Sequence, residues 1–218
     1  MTSAGFQRAR SAEAKLQRET AILDAATRLG TERGIRQITL TDLAAAVNMH
    51  KSALLRYFET REQIFLRLTA SGWQEWSSAL RDRTRALSPD SAAAAIAGAF
   101  AHTLTARPLF CDLLAQAPLN LERNVSPEQV RAFKLVTHAE VKTIVAELHR
   151  LRPALSEDEA VDVIATATSM AGALWQMATP APEILALYRS DPELSLALFD
   201  VTARLSRILT ALIDGYRP

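Results

Sequence analysis

The side chains best suited to chemistry lie close together between residues 50 and 61. They are imidazole, ammonium, hydroxyl, phenol and guanidinium groups, which hydrogen-bond to base edges and phosphate oxygens in nucleic acids. The candidates are His50, Lys51, Ser52, Arg56, Tyr57 and Arg61. We expect the first three to reach base edges from the first turn of a short helix, and the last three to hold phosphates.

The rest of the sequence has no pattern typical of a catalytic or metal site. Its four histidines are scattered and lack the His-x-x-x-His spacing of a zinc-binding helix. A Gly-rich phosphate loop and a Gly-x-Ser-x-Gly nucleophile motif are both absent. The single cysteine, Cys111, is predicted to be a small buried apolar residue. We therefore expect a protein that is not an enzyme and that needs no metal or cofactor.

Helices must position these residues. Seven glycines and nine prolines in 218 residues leave little turn material for a many-stranded protein, and alanine-rich segments favour helices. Apolar spacing predicts a first helix over residues 12–33, ended by Gly34. Thr39, with Asp42 three residues later, predicts the start of a short second helix. With a turn at residues 46–49 and a third helix over residues 50–57, this is the pattern of a helix-turn-helix module.

Further N-cap residues divide the remaining chain into helices. A serine cap followed by proline is expected to start one helix at residues 88–91, and prolines at 180 and 182 predict a break. The other expected helices begin at Thr60, Pro108, Ser126, Ser156 and Asp191, and the last of them runs to residue 216. We predict an all-α fold with two domains. Residues 1–66 hold an N-terminal arm and the helix-turn-helix, and residues 67–218 form a helical domain that binds an effector and dimerises.

Charge is distributed unevenly along the chain. Residues 1–67 contain eleven Lys or Arg and seven Asp or Glu, whereas the remaining residues contain 14 basic and 17 acidic ones. A basic N-terminal third attached to a mildly acidic remainder indicates that the first part binds a polyanion.

Three features of the sequence bear on location. The N-terminus lacks the apolar core of a signal peptide, and the longest apolar stretch is too short to span a bilayer. One cysteine cannot form a disulfide within the chain. A cytoplasmic protein is therefore expected.

Residues 34–65 have the sequence GIRQITLTDLAAAVNMHKSALLRYFETREQIF. This segment resembles the DNA-binding domain of the tetracycline-repressor (TetR) family of bacterial transcriptional regulators. The resemblance extends over residues 21–68. It includes the glycine after the first helix, Thr-x-x-x-Leu-Ala in the second, and Tyr-Phe-x-x-Arg-Glu-x-Ile-Phe at the end of the recognition helix. Double-stranded DNA is the partner it implies.

The resemblance also implies roles for individual residues. Thr39 caps the second helix while its hydroxyl approaches a phosphate, Tyr57 lies against the DNA backbone, and Arg61 stands for a phosphate-binding lysine. The base-contacting positions it implies are Thr41, His50, Lys51 and Ser52.

Two positions depart from the family pattern. Ala53 and Leu55 stand where the family has threonine and tyrosine as phosphate contacts. We therefore expect the basic N-terminal arm, which contains Arg8, Arg10 and Lys15, to contribute more of the affinity for DNA.

The last two long helices carry the pattern of a helical bundle. Apolar residues of the final helix are spaced alternately by three and four, which averages 3.5, and residues 171–173 are small enough for close helix approach. We predict a homodimer built on a four-helix bundle, as the resemblance also implies; the alternative is that these stripes only close the core of one copy. The predicted dimerisation residues are Val163, Met170, Leu174, Leu198, Val201, Leu205, Ile208 and Leu212.

If the family pattern holds, the middle helices enclose a pocket for a moderately hydrophobic small molecule. Most of its candidate residues are expected to be core, and no more than a third should contact a ligand. The candidates are Trp73, Trp76, Phe100, His102, Phe110, Phe133, His138 and Trp175.

The favoured interpretation is a homodimeric repressor that leaves a palindromic operator when a small molecule binds. One alternative is an activator or nucleoid-type DNA-binding protein without an effector. The other is an all-α enzyme or small-molecule-binding protein with a vestigial DNA-binding domain, which Ala53 and Leu55 leave open.

Overall fold

The computed structural model describes the backbone of residues 3–216 and the side chains of residues 13–216. Helices and short turns build this part of the chain, and no β-strand occurs within it. The all-α fold expected from the sequence is confirmed. Over the same residues, no helix is both long enough and apolar enough to cross a membrane.

The helices follow one another with short connections. They are α1 (Ser3–Arg33), α2 (Leu40–Ala46), α3 (Lys51–Leu54), α4 (Arg61–Thr84), α5 (Ala93–Thr105), α6 (Pro108–Gln116), α7 (Pro127–Leu151), α8 (Glu157–Ala178), α9 (Pro182–Ser190) and α10 (Val201–Gly215). The chain also contains 3-10 helix at Ile35–Gln37 and Pro192–Ala197, and a π-helical segment at Ala117–Leu121. We call residues 3–60 the head and residues 85–216 the body. Helix α4 is continuous between them, so the domain boundary predicted after residue 66 falls inside a helix.

Local chemistry fixes the bends of the head. The Thr39 hydroxyl accepts a hydrogen bond from the Asp42 N–H (3.1 Å), and the Asp42 carboxylate accepts one from the Thr39 N–H (2.8 Å), so the predicted capping box is present. Gly34 has φ of 79°, a conformation that a side chain would strain, and Asn48 takes the left-handed conformation with φ of 52°. These two residues turn the chain into α2 and into α3.

Four predicted helix boundaries are wrong. Helix α1 begins at Ser3 rather than at residue 12. Helix α3 is a single turn that ends at Leu54 rather than at residue 57. Helix α5 begins only at Ala93, because residues 88–91 form a closed turn in which the Ser91 hydroxyl accepts the Ser88 N–H (3.0 Å). The last helix begins at Val201, because Asp191 caps a separate 3-10 turn and Asp200 caps α10.

The body packs helices closely around one apolar core. Helix α10 lies mainly on α5, α6 on α8, and α4 on α7. The α6–α8 contact requires Gly172, since a Cβ at that position would lie 2.8 Å from the backbone nitrogen of Ala115. Gly172 thus serves helix packing within one copy of the chain.

Candidate nucleic-acid interface

The base-contacting candidates lie on an exposed surface held by a rigid turn. The Met49 N–H bonds to the Ala44 carbonyl (2.9 Å), while Val47 and Met49 pack against the core and lock α2 to α3. His50 is the N-cap of α3, and Lys51 and Ser52 begin its single turn. The predicted residues Thr41, His50, Lys51 and Ser52 all have exposed side chains. The structure therefore leaves these groups free to meet a DNA groove.

A basic groove lies beside this surface, between α1 and the end of α3. Its volume is about 480 Å³, and Lys15, Arg18, Arg56 and Tyr57 line it. Tyr57 is half-buried there, whereas the neighbouring Phe58 is part of the core. Three cations and a phenol in one groove suit a phosphate backbone.

Sequence analysis missed Arg18. Charge counting marked the N-terminal third as basic but could not show which side of α1 faces Arg56. The available signal was the spacing of three between Lys15 and Arg18, which places both on one helix face. Arg8 and Arg10 lie outside the residues whose side chains the structure describes.

The Thr39 hydroxyl is occupied by its capping role. It donates to the Asp42 carboxylate, and this bond, followed by the one from the Thr39 backbone N–H, lowers the pKa of Asp42 below its usual value. Asp42 is therefore ionised at neutral pH and holds the hydroxyl hydrogen. A phosphate that drew this hydrogen away would compete with the cap, so the phosphate contact of Thr39 stays a prediction.

The structure gives Arg61 contacts that the sequence did not predict. Its Nε donates to the Ile38 carbonyl, its Nη2 donates to the Ile35 carbonyl, and its Nη1 pairs with Glu62 at 2.9 Å. The guanidinium is mostly buried, with its side chain 20% exposed. These three contacts join α4 to the turn that follows α1. They engage three of the five donors of the guanidinium, so the phosphate contact of Arg61 stays a prediction.

Candidate metal ligands are dispersed among the described side chains. Between residues 13 and 216, no three His, Cys, Asp or Glu side chains come together as a metal site. Cys111 is fully buried and its Sγ donates to the Leu104 carbonyl at 3.3 Å. Burial, with a further contribution from the charge of Asp112, raises the pKa of the Cys111 thiol to about 12. The prediction of a buried cysteine is confirmed.

This thiol should be unreactive in the folded protein. Only the thiolate attacks a disulfide reagent, and a raised pKa together with burial removes both thiolate and access. We expect labelling by Ellman's reagent at pH 8 to be at least about a hundredfold slower in native protein than in guanidinium-unfolded protein. Rapid labelling of the native protein would contradict the buried position of Cys111.

Comparison with known protein families decides the identity. The family model for bacterial regulatory proteins of the tetR family matches residues 22–68. The model for the tetracyclin repressor-like C-terminal domain matches residues 70–218. The chain belongs to the TetR family of bacterial transcriptional regulators. Its exposed α2–α3 surface is thus part of the DNA-binding domain of a TetR-family regulator.

Solved structures, several of them TetR-family regulators, share the fold over nearly the whole chain. A possible regulator from Streptomyces coelicolor A3(2) is 17% identical with a TM-score of 0.61, and the match covers 90% of this chain and 97% of that one. FadR from Thermus thermophilus, a repressor in complex with lauroyl-CoA, is 18% identical with a TM-score of 0.56 and coverages of 90% and 94%. RolR, in complex with resorcinol, is 14% identical with a TM-score of 0.53 and coverages of 91% and 95%. A search of curated proteins gave no match.

The predicted ligand-binding residues of this TetR-family chain do not line one cavity. Trp73, Trp76, Phe100 and Phe110 pack edge to face with ring centroids 5.4–6.0 Å apart. The Trp76 Nε1–H also donates to the Thr103 hydroxyl (3.0 Å), so this cluster is core. The other four are dispersed: His102 and His138 are exposed, Phe133 lines a groove between α4 and α7, and Trp175 lines a cleft between head and body.

The predicted dimerisation residues divide into three groups. Val163, Leu174, Val201 and Leu205 are buried within one copy of the chain and cannot form its outer surface. Leu198 precedes α10 and is 40% exposed. The half-buried remainder is Met170, Ile208 and Leu212. The predicted seam was wrong for the first group because the spacing of α10 also serves its packing on α5 and α8.

Proposed function

We propose that this protein is a homodimeric repressor that binds a palindromic operator and leaves it when a small molecule binds. The observation that carries the proposal is the exposed first turn of α3 beside a groove of cations, on a helix-turn-helix whose bends are fixed. Such a turn fits the major groove, where each base pair presents a distinct set of donors and acceptors. A cytoplasmic location goes with this proposal, because bacterial operators lie there.

The two parts of the surface have different roles in the proposal. His50, Lys51 and Ser52 meet base edges, and a bidentate or direct contact there distinguishes one base pair from another. Arg56 and Tyr57, with Lys15 and Arg18 of α1, hold phosphates that are the same in every sequence. Affinity for DNA in general and preference for one operator are therefore separable by mutation.

Substitutions at Lys51 and Arg56 test this division. Lys51→Ala should lower the preference for the selected operator over random DNA by about tenfold, because a base contact contributes roughly 1–3 kcal/mol of discrimination. Arg56→Ala should weaken binding to both DNAs alike and reduce the slope of log affinity against log salt by about one. Titrations of both DNAs at several salt concentrations measure the two effects.

Lys142→Ala is the matched control, since Lys142 is an exposed lysine of α7 in the body. It should change neither preference nor slope. If Lys51→Ala and Arg56→Ala gave the same pattern, base and phosphate contacts would not be divided as proposed.

The outer face of α8 supports a homodimer. Val161, Ala165, Ser169, Ala173 and Met177 follow one another at intervals of four residues, and all five side chains are exposed. Three small residues in the middle of this stripe allow another helix to approach closely, and the ends are large and apolar. The half-buried Met170, Ile208 and Leu212 extend the apolar area from α8 to α10. We propose that a second copy covers this face, and so brings two heads to one operator.

A groove between α4 and α7 is the proposed effector site. Its volume is about 280 Å³, just below the usual range for ligand pockets. Leu66, Ala70, Phe133 and Val136 form its apolar walls, and Arg67, Gln63, Gln74 and Gln129 supply polar groups. This lining suits a small, moderately hydrophobic molecule with one polar end. Because α4 begins directly after the head, a ligand that parts α4 from α7 would move the head directly.

The identity of the effector does not follow from the family. Lauroyl-CoA in FadR is a long acyl thioester, and resorcinol in RolR is a small diphenol. These relatives share the fold of this chain at low identity. They therefore support the proposal that this regulator responds to a ligand, and they do not indicate which compound it binds.

A further inference from the structure

One buried carboxylate joins three elements at the junction of head and body. Asp112 lies on α6 and is 9% exposed. Its Oδ2 accepts a hydrogen bond from the backbone N–H of Ile35 in the head (2.8 Å), and its Oδ1 accepts one from Nε2 of Gln176 on α8 (2.8 Å). No sequence motif indicated this residue.

Ile35, the residue of the head that bonds to Asp112, also contacts the core and α4. The Ile35 side chain is buried in the core, and its carbonyl accepts the Arg61 guanidinium at the start of α4. Gly34, with its positive φ, turns the Ile35 N–H towards Asp112. Hydrogen bonds thus run from α8 through Asp112 and Ile35 to Arg61, the first residue of α4.

Besides the hydrogen bond between Asp112 and Ile35, α6 packs against α1 and against the turn that follows α1. A cleft of about 730 Å³ separates head and body around Asp112, lined by residues of α1, its following turn, α6 and the end of α8. The apolar contact nearby is Leu109 against Gly30, where an added Cβ would lie 3.0 Å from the Leu109 side chain. A second polar link, from the Ser126 N–H to the exposed Glu59 carboxylate (2.7 Å), connects the head with the start of α7. Asp112 thus forms a buried polar link between head and body beside this cleft.

We propose that Asp112 is a positioning residue that fixes the angle of the head against the body and so sets the operator half-site spacing that a dimer accepts. This inference rests on the proposed dimeric operator binding. One base pair of added spacing moves a half-site by about 3.4 Å and rotates it by about 34°, so a rigidly held head discriminates strongly between spacings. Without Asp112, the buried Ile35 N–H loses its acceptor and the head turns more freely.

The test measures affinity for operators whose half-sites are moved apart or together by one and two base pairs. For the unaltered protein, each step away from the best spacing should cost about tenfold or more in affinity. For Asp112→Ala, the best affinity should fall and the spread over all spacings should shrink to about threefold. Asp112→Asn should restore the sharp profile, because the asparagine oxygen accepts the Ile35 N–H and its amide nitrogen can donate to the Gln176 oxygen after an amide flip.

Thr103→Val is the control for a merely structural effect. It removes the buried hydrogen bond from Trp76 inside the body, and it should lower the melting temperature while the spacing profile stays sharp. If Asp112→Ala does not fold, Gln176→Leu, which removes only the α8 arm of the link, should broaden the profile in its place.

This inference would be overturned if the folded Asp112→Ala protein still bound only operators of one spacing. If Asp112→Ala does not fold, the same result for Gln176→Leu would overturn it. Failure of the unaltered protein to prefer any paired half-sites would instead overturn the proposed function. The two failures are therefore distinguishable in the same experiment.

Discussion

Replacing Ala173 by arginine should leave a folded monomer whose affinity for the operator is at least about a hundredfold below that of the unaltered protein, because two linked heads gain about 10²–10⁴ in avidity over one. Ala173 lies in the middle of the exposed small-residue stripe of α8, so an arginine there meets solvent in one copy of the chain. Against a second copy, the same side chain separates the helices and brings an unpaired charge into the interface.

Light scattering after gel filtration and operator titration measure the two effects together. Ala139→Arg is the matched control, since Ala139 is an exposed alanine on α7, and it should remain dimeric with full affinity. A dimeric Ala173→Arg protein with unchanged operator affinity would show that α8 does not form the interface.

The second large effect concerns Arg61. Arg61→Ala leaves the carbonyls of Ile35 and Ile38 without their charged donor, and hydrogen bonds to a charged group contribute about 1.5–3 kcal/mol each. We expect the free energy of unfolding to fall by roughly 2–4 kcal/mol, measured by urea denaturation followed by circular dichroism. Arg61→Lys should lose most of this stability as well, because an ammonium cannot reproduce the planar fork that spans both carbonyls.

Arg36→Ala serves as the control for Arg61→Ala, since Arg36 is exposed in the 3-10 turn whose Ile35 carbonyl binds Arg61. This substitution should change the free energy of unfolding by less than about 0.5 kcal/mol. The salt slope of DNA binding by the folded fraction of Arg61→Ala should equal that of the unaltered protein. Normal stability with a slope reduced by about one would instead return Arg61 to the phosphate-binding role that the sequence suggested.

Local interactions made much of the fold predictable. The box of Thr39 and Asp42, the similar box of Ser156 and Glu159, and the left-handed turn at Asn48 depend on residues within four positions of each other. Their geometry is set by the backbone of one turn, so residue types at a given spacing determine it. The position of the exposed start of α3 could be predicted from the ends of the helices that these residues set.

Long-range contacts set the features that the sequence did not predict. Arg61 looks like a surface cation by type, but the carbonyls that it binds are 23 and 26 positions away. The Asp112 link joins residues separated by 77 and 64 positions, and neither partner has a charge that could have indicated it. No local pattern encodes such pairs.

The apolar stripes of the body were ambiguous for a related reason. Repeats of three and four describe a face that packs against another helix, whether that helix belongs to the same copy or to a second one. Leu205 and Leu209 face α5 and α8 of their own copy, and the outer surface of α8 carries small residues that hydropathy alone does not mark. Burial in the folded chain was needed to separate the two surfaces.

The most direct test of the account is selection of random duplex DNA by the purified protein, followed by salt titration of the enriched sequences. We expect an inverted repeat whose half-site centres lie about 10–10.5 base pairs, or 34–36 Å, apart, bound with nanomolar affinity and a steep salt dependence. An absence of enrichment at low salt, or enrichment of a single unrepeated site, would contradict operator binding by two heads of a dimer.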